Sequence, residues 1–384
     1  MYTYTKITDL KDMLEKSGDE FGEKIAYKIR SEKDQYQTFT HKDVREMINC
    51  LGTALYDMGL KGKRIAVIGE NRYEWEIAYL SIVCGVGTVV PLDKSLPENE
   101  LSDLIKRSEV EAIFYTKKYE EMLEKIKYKG IGKLKHLISM DLHQHKEGIY
   151  SQKELIDKGR NLILRGNDEF INAKINNKEM NIMLFTSGTT SASKVVALSH
   201  FNICSNLMDI ASILEVNSDD VFLSFLPLHH VFECTVGFLF ALYKGAQTVF
   251  CDGPKHITEN MKEYKVSVMA SVPAIYERIF KSIRKNLEKQ GKLEEILKKE
   301  EEYINASMEE KKKVFSEIHD MLGGNVKLLI SGAASLERSI EERYRKLGLN
   351  LVQGYGLTET SPVVAMRNFR KLQTRFHSEK QYQV

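Results

Sequence analysis

Short apolar runs alternate with longer amphipathic stretches along almost the whole chain. Residues 64–69, 88–91 and 112–116 have the length and composition of strands, and residues 73–84 and 98–108 between them have helical periodicity. This rhythm is typical of helices packed on mostly parallel sheets. The sequence therefore predicts an α/β fold.

A second series of strands follows a polar, weakly periodic region at residues 117–178. We place a weak boundary near Gly166, which predicts a first α/β subdomain at residues 1–165 and a second at residues 166–384. A stretch rich in Lys and Glu at residues 281–313 is interpreted as a solvated pair of helices, with a basic interaction surface as the alternative. Further strands are predicted at residues 181–185, 195–199, 221–225, 247–250, 267–270, 326–330 and 350–353.

Charge and cysteine usage argue against several classes of protein. The chain has 56 Lys and Arg against 54 Asp and Glu, so its net charge of +2 provides no overall field that would attract nucleic acid. Its 5 cysteines form no CxxC pair, which favours neither a disulfide framework nor a zinc site and fits a reducing cytoplasm. The longest apolar stretch, residues 77–92, is shorter than the ~20 residues that a membrane span needs. We expect a cytoplasmic protein that binds no nucleic acid.

A loop rich in small and hydroxyl residues follows the strand predicted at residues 181–185. Residues 184–200 read LFTSGTTSASKVVALSH. Small residues let backbone N–H groups converge on phosphate oxygens, hydroxyls add donors, and a lysine supplies a mobile charge. The spacing differs from the GxxxxGK[ST] form, and a merely flexible polar turn is the alternative. The favoured ligand is a triphosphate, held by Thr186, Ser187, Gly188, Thr189, Thr190 and Lys194.

Two further segments carry chemistry after predicted strands. Residues 353–362 read QGYGLTETSP, in which Tyr355 could stack on a base and Glu359 could hold Mg2+ beside substrate phosphates. Residues 226–233 read LPLHHVFE and contain two adjacent histidines. Neither segment by itself identifies a ligand.

Together these segments resemble the adenylate-forming (AMP-binding) superfamily. The GYGLTET stretch matches the superfamily, and the ENRYEW stretch, the glutamate after PLHHVF, the charged insert after VPAIYERI and the ISGAAS turn are most similar to those of long-chain fatty acid CoA ligases. The resemblance implies the large N-terminal domain of that fold, with two helix-flanked β-sheets in layers and part of a small β-rich portion. It also implies ATP-dependent activation of a long-chain fatty acid as an acyl-adenylate, with Mg2+ as cofactor, and transfer of the acyl group to CoA.

The resemblance also assigns roles to individual residues. His230 would lie beside the carboxylate and the α-phosphate, Thr358 would bind the α-phosphate, and Glu359 with Thr186 would hold the metal. Lys194 and the loop before it would bind the outer phosphates. Structural roles are the alternatives for His230 and for the turn at residues 332–334. The loop departs from the family pattern at Ser191, Ser193 and Val195, which implies a different loop shape. The other nucleotide contacts would be Gly332, Ala333, Ala334, Tyr355 and Gly356.

The family's full chain is longer, and its small C-terminal domain is expected to be absent here. By that resemblance we expect a truncated form with impaired activity, as a natural truncation, a frameshift product or a fragment. A fatty acyl-AMP or acyl-carrier-protein ligase is one alternative function, and a non-catalytic adenylate- or acyl-binding module is another. Peripheral membrane contact for substrate uptake and a homodimer are left open.

Overall fold

The computed structural model describes residues 2–32, 35–186, 193–367 and 374–375. In these ranges the strands form two mixed sheets, one of nine strands and one of seven, which we call the large sheet and the small sheet. Helices pack against both sheets, so the predicted α/β class is confirmed.

The elements are numbered in chain order. The strands are β1 (Ile25–Glu32), β2 (Gln35–Thr40), β3 (Lys63–Ile68), β4 (Gly87–Pro91), β5 (Ala112–Tyr115), β6 (His136–Ser139), β7 (Ile149–Ser151), β8 (Met180–Thr186), β9 (Lys194–Ser199), β10 (Val221–Ser224), β11 (Gln247–Phe250), β12 (Val268–Ser271), β13 (Leu328–Ser331), β14 (Leu351–Gly356), β15 (Val363–Met366) and β16 (Thr374–Arg375). The helices are α1 (Leu10–Glu20), α2 (His41–Asp57), α3 (Tyr73–Ser81), α4 (Glu98–Ser108), α5 (Glu120–Tyr128), α6 (Gln152–Leu164), α7 (His200–Ile213), α8 (Phe240–Tyr243), α9 (Ile257–Glu263), α10 (Pro273–Lys289), α11 (Leu293–Glu302), α12 (Met308–Val314), α13 (Ser316–Met321) and α14 (Arg338–Lys346).

Both sheets are parallel at the centre and antiparallel at an edge. The large sheet has the order β2, β1, β11, β10, β12, β13, β14, β15, β16, with antiparallel pairs at β2–β1, β14–β15 and β15–β16. The small sheet has the order β7, β6, β5, β3, β4, β8, β9, and its antiparallel pair is β8–β9. Because the central strands of each sheet run the same way, the loops that follow them open on one edge.

Side chains alternate across the strands, and this alternation produces separate apolar cores. Ile65 and Val67 of β3 join a central core with helices α2, α3 and α7 and with Phe222 of the large sheet. Ala66 and Ile68 point to the other face of β3, where α4 and α5 cover them. The outer face of the large sheet packs against α9, α10, α13 and α14. The layers therefore run helices, sheet, helices, sheet, helices.

A capping box begins helix α7 directly after the last strand of the small sheet. The backbone N–H of Asn202 donates to Ser199 Oγ at 3.3 Å, and the N–H of Ser199 donates to Asn202 Oδ1 at 3.0 Å. The two bonds satisfy donors that the first turn of a helix leaves open. They define where β9 ends and α7 turns back into the central core.

Most of the predicted strands occur within a few residues of their expected positions. The polar region at residues 117–178 was not expected to contain strands, yet β6 and β7 lie there and extend the small sheet. Each has only three or four residues, which is too short for a periodic signal. The Lys- and Glu-rich stretch forms helices, as predicted.

Each sheet contains strands from both sides of Gly166. β1 and β2 precede that residue but belong to the large sheet, and β8 and β9 follow it but complete the small sheet. The subdomain boundary itself stays a prediction. Within the described ranges, each helix is either too short or too polar to cross a bilayer.

Candidate active site

The candidate side chains gather at the carboxyl ends of the central strands. Ser224 ends β10, Ser271 ends β12 and Ser331 ends β13, and these parallel strands are neighbours in the large sheet. In open α/β sheets, ligands bind outside this edge. The segments singled out in the sequence follow β8, β10 and β13 or lie at the end of β14.

The hairpin of β8 and β9 carries the ends of the predicted phosphate loop. Thr186 and Lys194 are partners in the antiparallel register, and the Lys194 side chain is exposed. Arg107 of α4 donates to the carbonyl oxygen of Ser193 at 2.6 Å, and so adds a second cation at this point. Thr186, Lys194 and Arg107 therefore concentrate polar groups where the loop begins and ends. The other predicted loop residues lie outside the described part of the chain: Ser187, Gly188, Thr189 and Thr190.

The tyrosine segment forms the end of β14 and a tight turn. The Tyr355 side chain is 63% exposed, which leaves a ring face open to a stacking partner. The turn Thr358–Thr360 follows, and it contacts strand β9 of the small sheet. The exposed Glu359 therefore lies on a turn that packs beside the strand beginning with Lys194.

A buried amide fastens this segment to helix α7. Asn206 Nδ2 donates to the carbonyl oxygen of Val363 at 2.7 Å, and the N–H of Val363 donates to Asn206 Oδ1 at 3.2 Å. Both backbone groups of one β15 residue are satisfied by one side chain. The strand after the turn is thus held to the helix that follows β9.

The turn at residues 332–334 follows β13, next to the tyrosine segment. The N–H of Gly332 donates to the carbonyl oxygen of Ser271 at 3.0 Å, and a Cβ at this position would lie 2.7 Å from the Phe232 ring. Ala333 has a φ of 63°, which is uncommon for a residue with a side chain and occurs often at functional sites. Ala333 and Ala334 are exposed at the edge, so both predicted contacts are open to a ligand.

The two adjacent histidines have different surroundings. His229 Nε2 lies 3.5 Å from Asp93 Oδ1, in the loop after β4, whereas His230 is exposed and its ring makes no hydrogen bond within the described ranges. Burial lowers the pKa of His229 to about 4, and the pKa of His230 is also lowered because its side chain, although exposed on one side, is partly desolvated. Both rings are therefore neutral at physiological pH, and the His230 ring is the one open to a ligand.

The Asn71 side chain ties the small sheet to the large sheet where the histidine loop begins. Asn71, after β3, donates from Nδ2 to Ser224 Oγ at 2.9 Å and to the carbonyl oxygen of Leu226 at 2.7 Å. Ser224 Oγ in turn donates to Glu233 Oε1 at 3.0 Å. Burial raises the pKa of Glu233 to about 8, so this carboxyl carries a proton at neutral pH.

Comparison with protein families shows which family the chain belongs to. The family described as AMP-binding enzyme matches residues 14–381. The chain belongs to that family. The matched range includes the β8–β9 hairpin, the histidine loop, the turn after β13 and the tyrosine segment.

Curated relatives of this chain are between 24% and 29% identical to it. Long chain acyl-CoA synthetase 3 of Arabidopsis thaliana is 29% identical over 355 residues, which cover 85% of this chain and 52% of the relative. Long-chain-fatty-acid--CoA ligase 1 of Homo sapiens is 26% identical over 390 residues, which cover 94% and 54%. The chain thus spans about half the length of these relatives.

Solved structures show the same fold. A long-chain-fatty-acid-CoA ligase (FadD1) from Archaeoglobus fulgidus matches with a TM-score of 0.73 at 19% identity, covering 96% of this chain and 68% of that one. The N-terminal domain of FACL13 from Mycobacterium tuberculosis matches with a TM-score of 0.71 at 18% identity, covering 95% and 80%. The predicted N-terminal domain of the adenylate-forming fold is therefore confirmed.

Several residues at the candidate site were not predicted from the sequence. Asn71 and Asp93 follow β3 and β4, and their positions just after apolar runs were the signal that could have found them. Arg107 and Glu233 gave no such signal, because only the folded chain brings them to the edge. In the described ranges, no group of three or more His, Cys, Asp or Glu side chains could hold a metal ion.

Proposed function

We propose that this protein activates a long-chain fatty acid with ATP and transfers the acyl group to CoA. The observation that carries the proposal is the contact between β9 and the turn Thr358–Thr360. It puts the strand that begins with Lys194 beside a turn that carries a threonine and an exposed carboxylate. The names of the curated relatives support a long-chain acyl substrate.

The first step needs no nucleophile from the protein. A carboxylate oxygen of the fatty acid attacks the α-phosphorus, the bond to the bridging oxygen breaks, and pyrophosphate leaves with the electron pair. In the second step the CoA thiolate attacks the acyl carbon and AMP leaves. Catalysis then depends on positioning the reactants and on neutralising phosphate charge.

Each predicted side chain has a part in that positioning. Lys194 and Thr186 bind the outer phosphates, together with the loop between them, and the exposed ring of Tyr355 stacks on adenine. Thr358 donates to the α-phosphate, and neutral His230 lies beside the reacting carboxylate. Gly332, Ala333, Ala334 and Gly356 let the backbone approach the nucleotide closely.

The candidate site needs only one or two protein ligands to hold Mg2+. Magnesium keeps several waters and is bound by one or two carboxylates plus substrate phosphates, so one exposed carboxylate on the turn is sufficient. Glu359 would be that carboxylate, and Thr186 would add a hydroxyl. The ion would neutralise charge on the leaving pyrophosphate.

Exchange of labelled pyrophosphate into ATP tests the adenylation step directly. We expect exchange that depends on hexadecanoate, because only a reversible acyl-adenylate returns pyrophosphate to ATP. ATP binding without exchange would instead favour a non-catalytic adenylate-binding module. Mass spectrometry of the product with CoA or with acyl carrier protein then distinguishes the two thiol acceptors.

The Lys194→Ala variant is expected to bind ATP about tenfold more weakly, because it loses one charge-assisted phosphate contact. Its stability should change by less than about 0.5 kcal/mol, since the side chain is exposed. Calorimetry measures both quantities, and Lys178→Ala is the matched control at an exposed lysine before β8. Equal ATP affinity in the two variants would show that Lys194 does not contact the nucleotide.

The Glu359→Gln variant is expected to lose the Mg2+-dependent part of ATP affinity, since it keeps the side-chain shape but removes the anionic ligand. Titration of ATP with and without Mg2+ gives the two affinities. Glu342→Gln, at an exposed position on α14, is the control. A loss of the same size without Mg2+ would mean that Glu359 does not hold the ion.

A further inference from the structure

An apolar cavity lies among the helices on the outer face of the large sheet, and none of the candidate active-site residues lines it. Its volume is about 240 Å³, and helices α10, α11, α13 and α14 form its walls. Ile283, Leu287, Ile296 and Ile318 form its apolar lining and are buried. Apolar cavities of about 150 Å³ hold a benzene-sized ligand, so this one has room for part of an aliphatic chain.

The mouth of the cavity is positively charged. Arg284, Arg343 and Lys346 line it, whereas Glu300 is its one acidic lining residue. Arg284 Nε donates a hydrogen bond to Glu288 Oε1 at 3.3 Å. Arg343 Cζ lies 5.6 Å from the centre of the Phe280 ring. Arg343 and Lys346 lie on the same helix, three residues apart, and therefore on one face.

Glu300 does not neutralise these cations. Its carboxylate is 4.0 Å from Lys346 Nζ, which is at the outer limit of an ion pair and too long for a hydrogen bond. Its side chain is 12% exposed, and burial raises its pKa although Lys346, Arg343 and Arg284 all act to lower it. Positive charge at the mouth thus exceeds the negative charge that faces it.

We propose that this cavity binds a single-chain aliphatic anion, with the chain among the isoleucines and leucines and the head group between Arg343 and Lys346. Apolar walls supply affinity for the chain, and the excess of cations selects an anionic head over a neutral one. The site is separate from the carboxyl edge and does not depend on the proposed function.

Photolabelling locates such a ligand without relying on activity. The 384-residue chain is irradiated with a dodecanoate that carries a diazirine near the end of its chain, and labelled peptides are mapped by mass spectrometry. We expect labelled peptides from α10, α11 and α14, and competition by dodecanoate about tenfold stronger than by dodecanol. Absence of label from these helices would overturn the proposal.

Two double variants separate the head-group contacts from general charge. Arg343→Gln with Lys346→Gln is expected to reduce labelling of α10 and α11 about tenfold while labelling elsewhere is unchanged. Lys285→Gln with Lys298→Gln removes the same charge from exposed positions that do not line the cavity and should have no effect. Equal loss in both pairs would show that net charge alone attracts the probe, which overturns the site.

The source of the anion is decided by competition. Vesicles of phosphatidylglycerol that displace the label where free dodecanoate does not would show that these helices bind a membrane surface instead. That result would overturn a site for a single-chain anion. Displacement by dodecanoate with no effect of vesicles supports the site.

Discussion

Replacing Gly356 with alanine will destabilise the protein by about 3 kcal/mol and remove nucleotide binding at the carboxyl edge. A Cβ at this position would lie 1.9 Å from the carbonyl oxygen of Pro362, which no real structure tolerates. The obstacle is backbone, so it cannot move away by changing a rotamer. The whole turn between the two residues must shift.

That turn is what presents Thr358 and Glu359. The Pro362 carbonyl accepts from the N–H of Leu357 at 3.2 Å and also from Thr360 Oγ1, so a shift of this oxygen breaks both bonds. The same shift disrupts the pairing of Gly356 with Val363 in the β14–β15 ladder. We therefore expect ATP affinity to fall below detection rather than decline gradually.

Gly354→Ala provides the control, two residues earlier in the same strand. Its Cβ would meet nothing closer than Met366 Cε at 3.6 Å, which is ordinary contact. Denaturation and ATP titration of both variants should give a near-native result for residue 354 and a large loss for residue 356. Similar losses at the two positions would mean that β14 tolerates no side chain at any glycine, and the argument from Pro362 would be wrong.

The second large effect is a change in how stability depends on pH. Glu233→Gln keeps the size of the side chain and an oxygen that can accept from Ser224 and from the N–H of Phe225, but it cannot ionise. We expect the variant to gain several kcal/mol over the wild type as the pH rises from about 5 to about 9.

The sign follows from the raised pKa. The unfolded chain loses the Glu233 proton near the ordinary value of 4.5, whereas burial keeps it bound in the folded protein until about pH 8. Below pH 4.5 both states are protonated, and the stabilising effect of the neutral acid is fully present. Between 4.5 and 8 only the folded state holds the proton, so wild-type stability falls relative to the variant as the pH rises.

Denaturant unfolding at several pH values measures the difference. Glu302→Gln, at an exposed carboxylate of α11, should show no pH-dependent difference from the wild type. Burial also raises the pKa of Glu76, and Glu233 adds to that shift, so some pH dependence will remain in the variant. A difference between wild type and Glu233→Gln that is flat across this range would show that Glu233 ionises normally.

Much of the fold and part of the candidate site could be predicted from the sequence, because their signals are local. The apolar run of β3 and the helical period of α4 are visible without the structure, and so is the hydroxyl-rich segment after β8. Glu233 and Arg107 were not predicted as site residues because their partners, Ser224 and the Ser193 carbonyl, are set by how the layers pack. The same holds for β1, which joins β11 across more than 200 positions of the sequence.

The exchange of strands between the two halves of the chain has a consequence for protein engineering. A cut at residue 165 would leave β4 with its partner strand β8 on another polypeptide, and would leave β11 without β1. Neither fragment would contain a whole sheet, and each would present an unpaired edge that recruits the missing strands or aggregates. Such halves would have to be produced together, and their reassembly would then report on whatever brings them into contact.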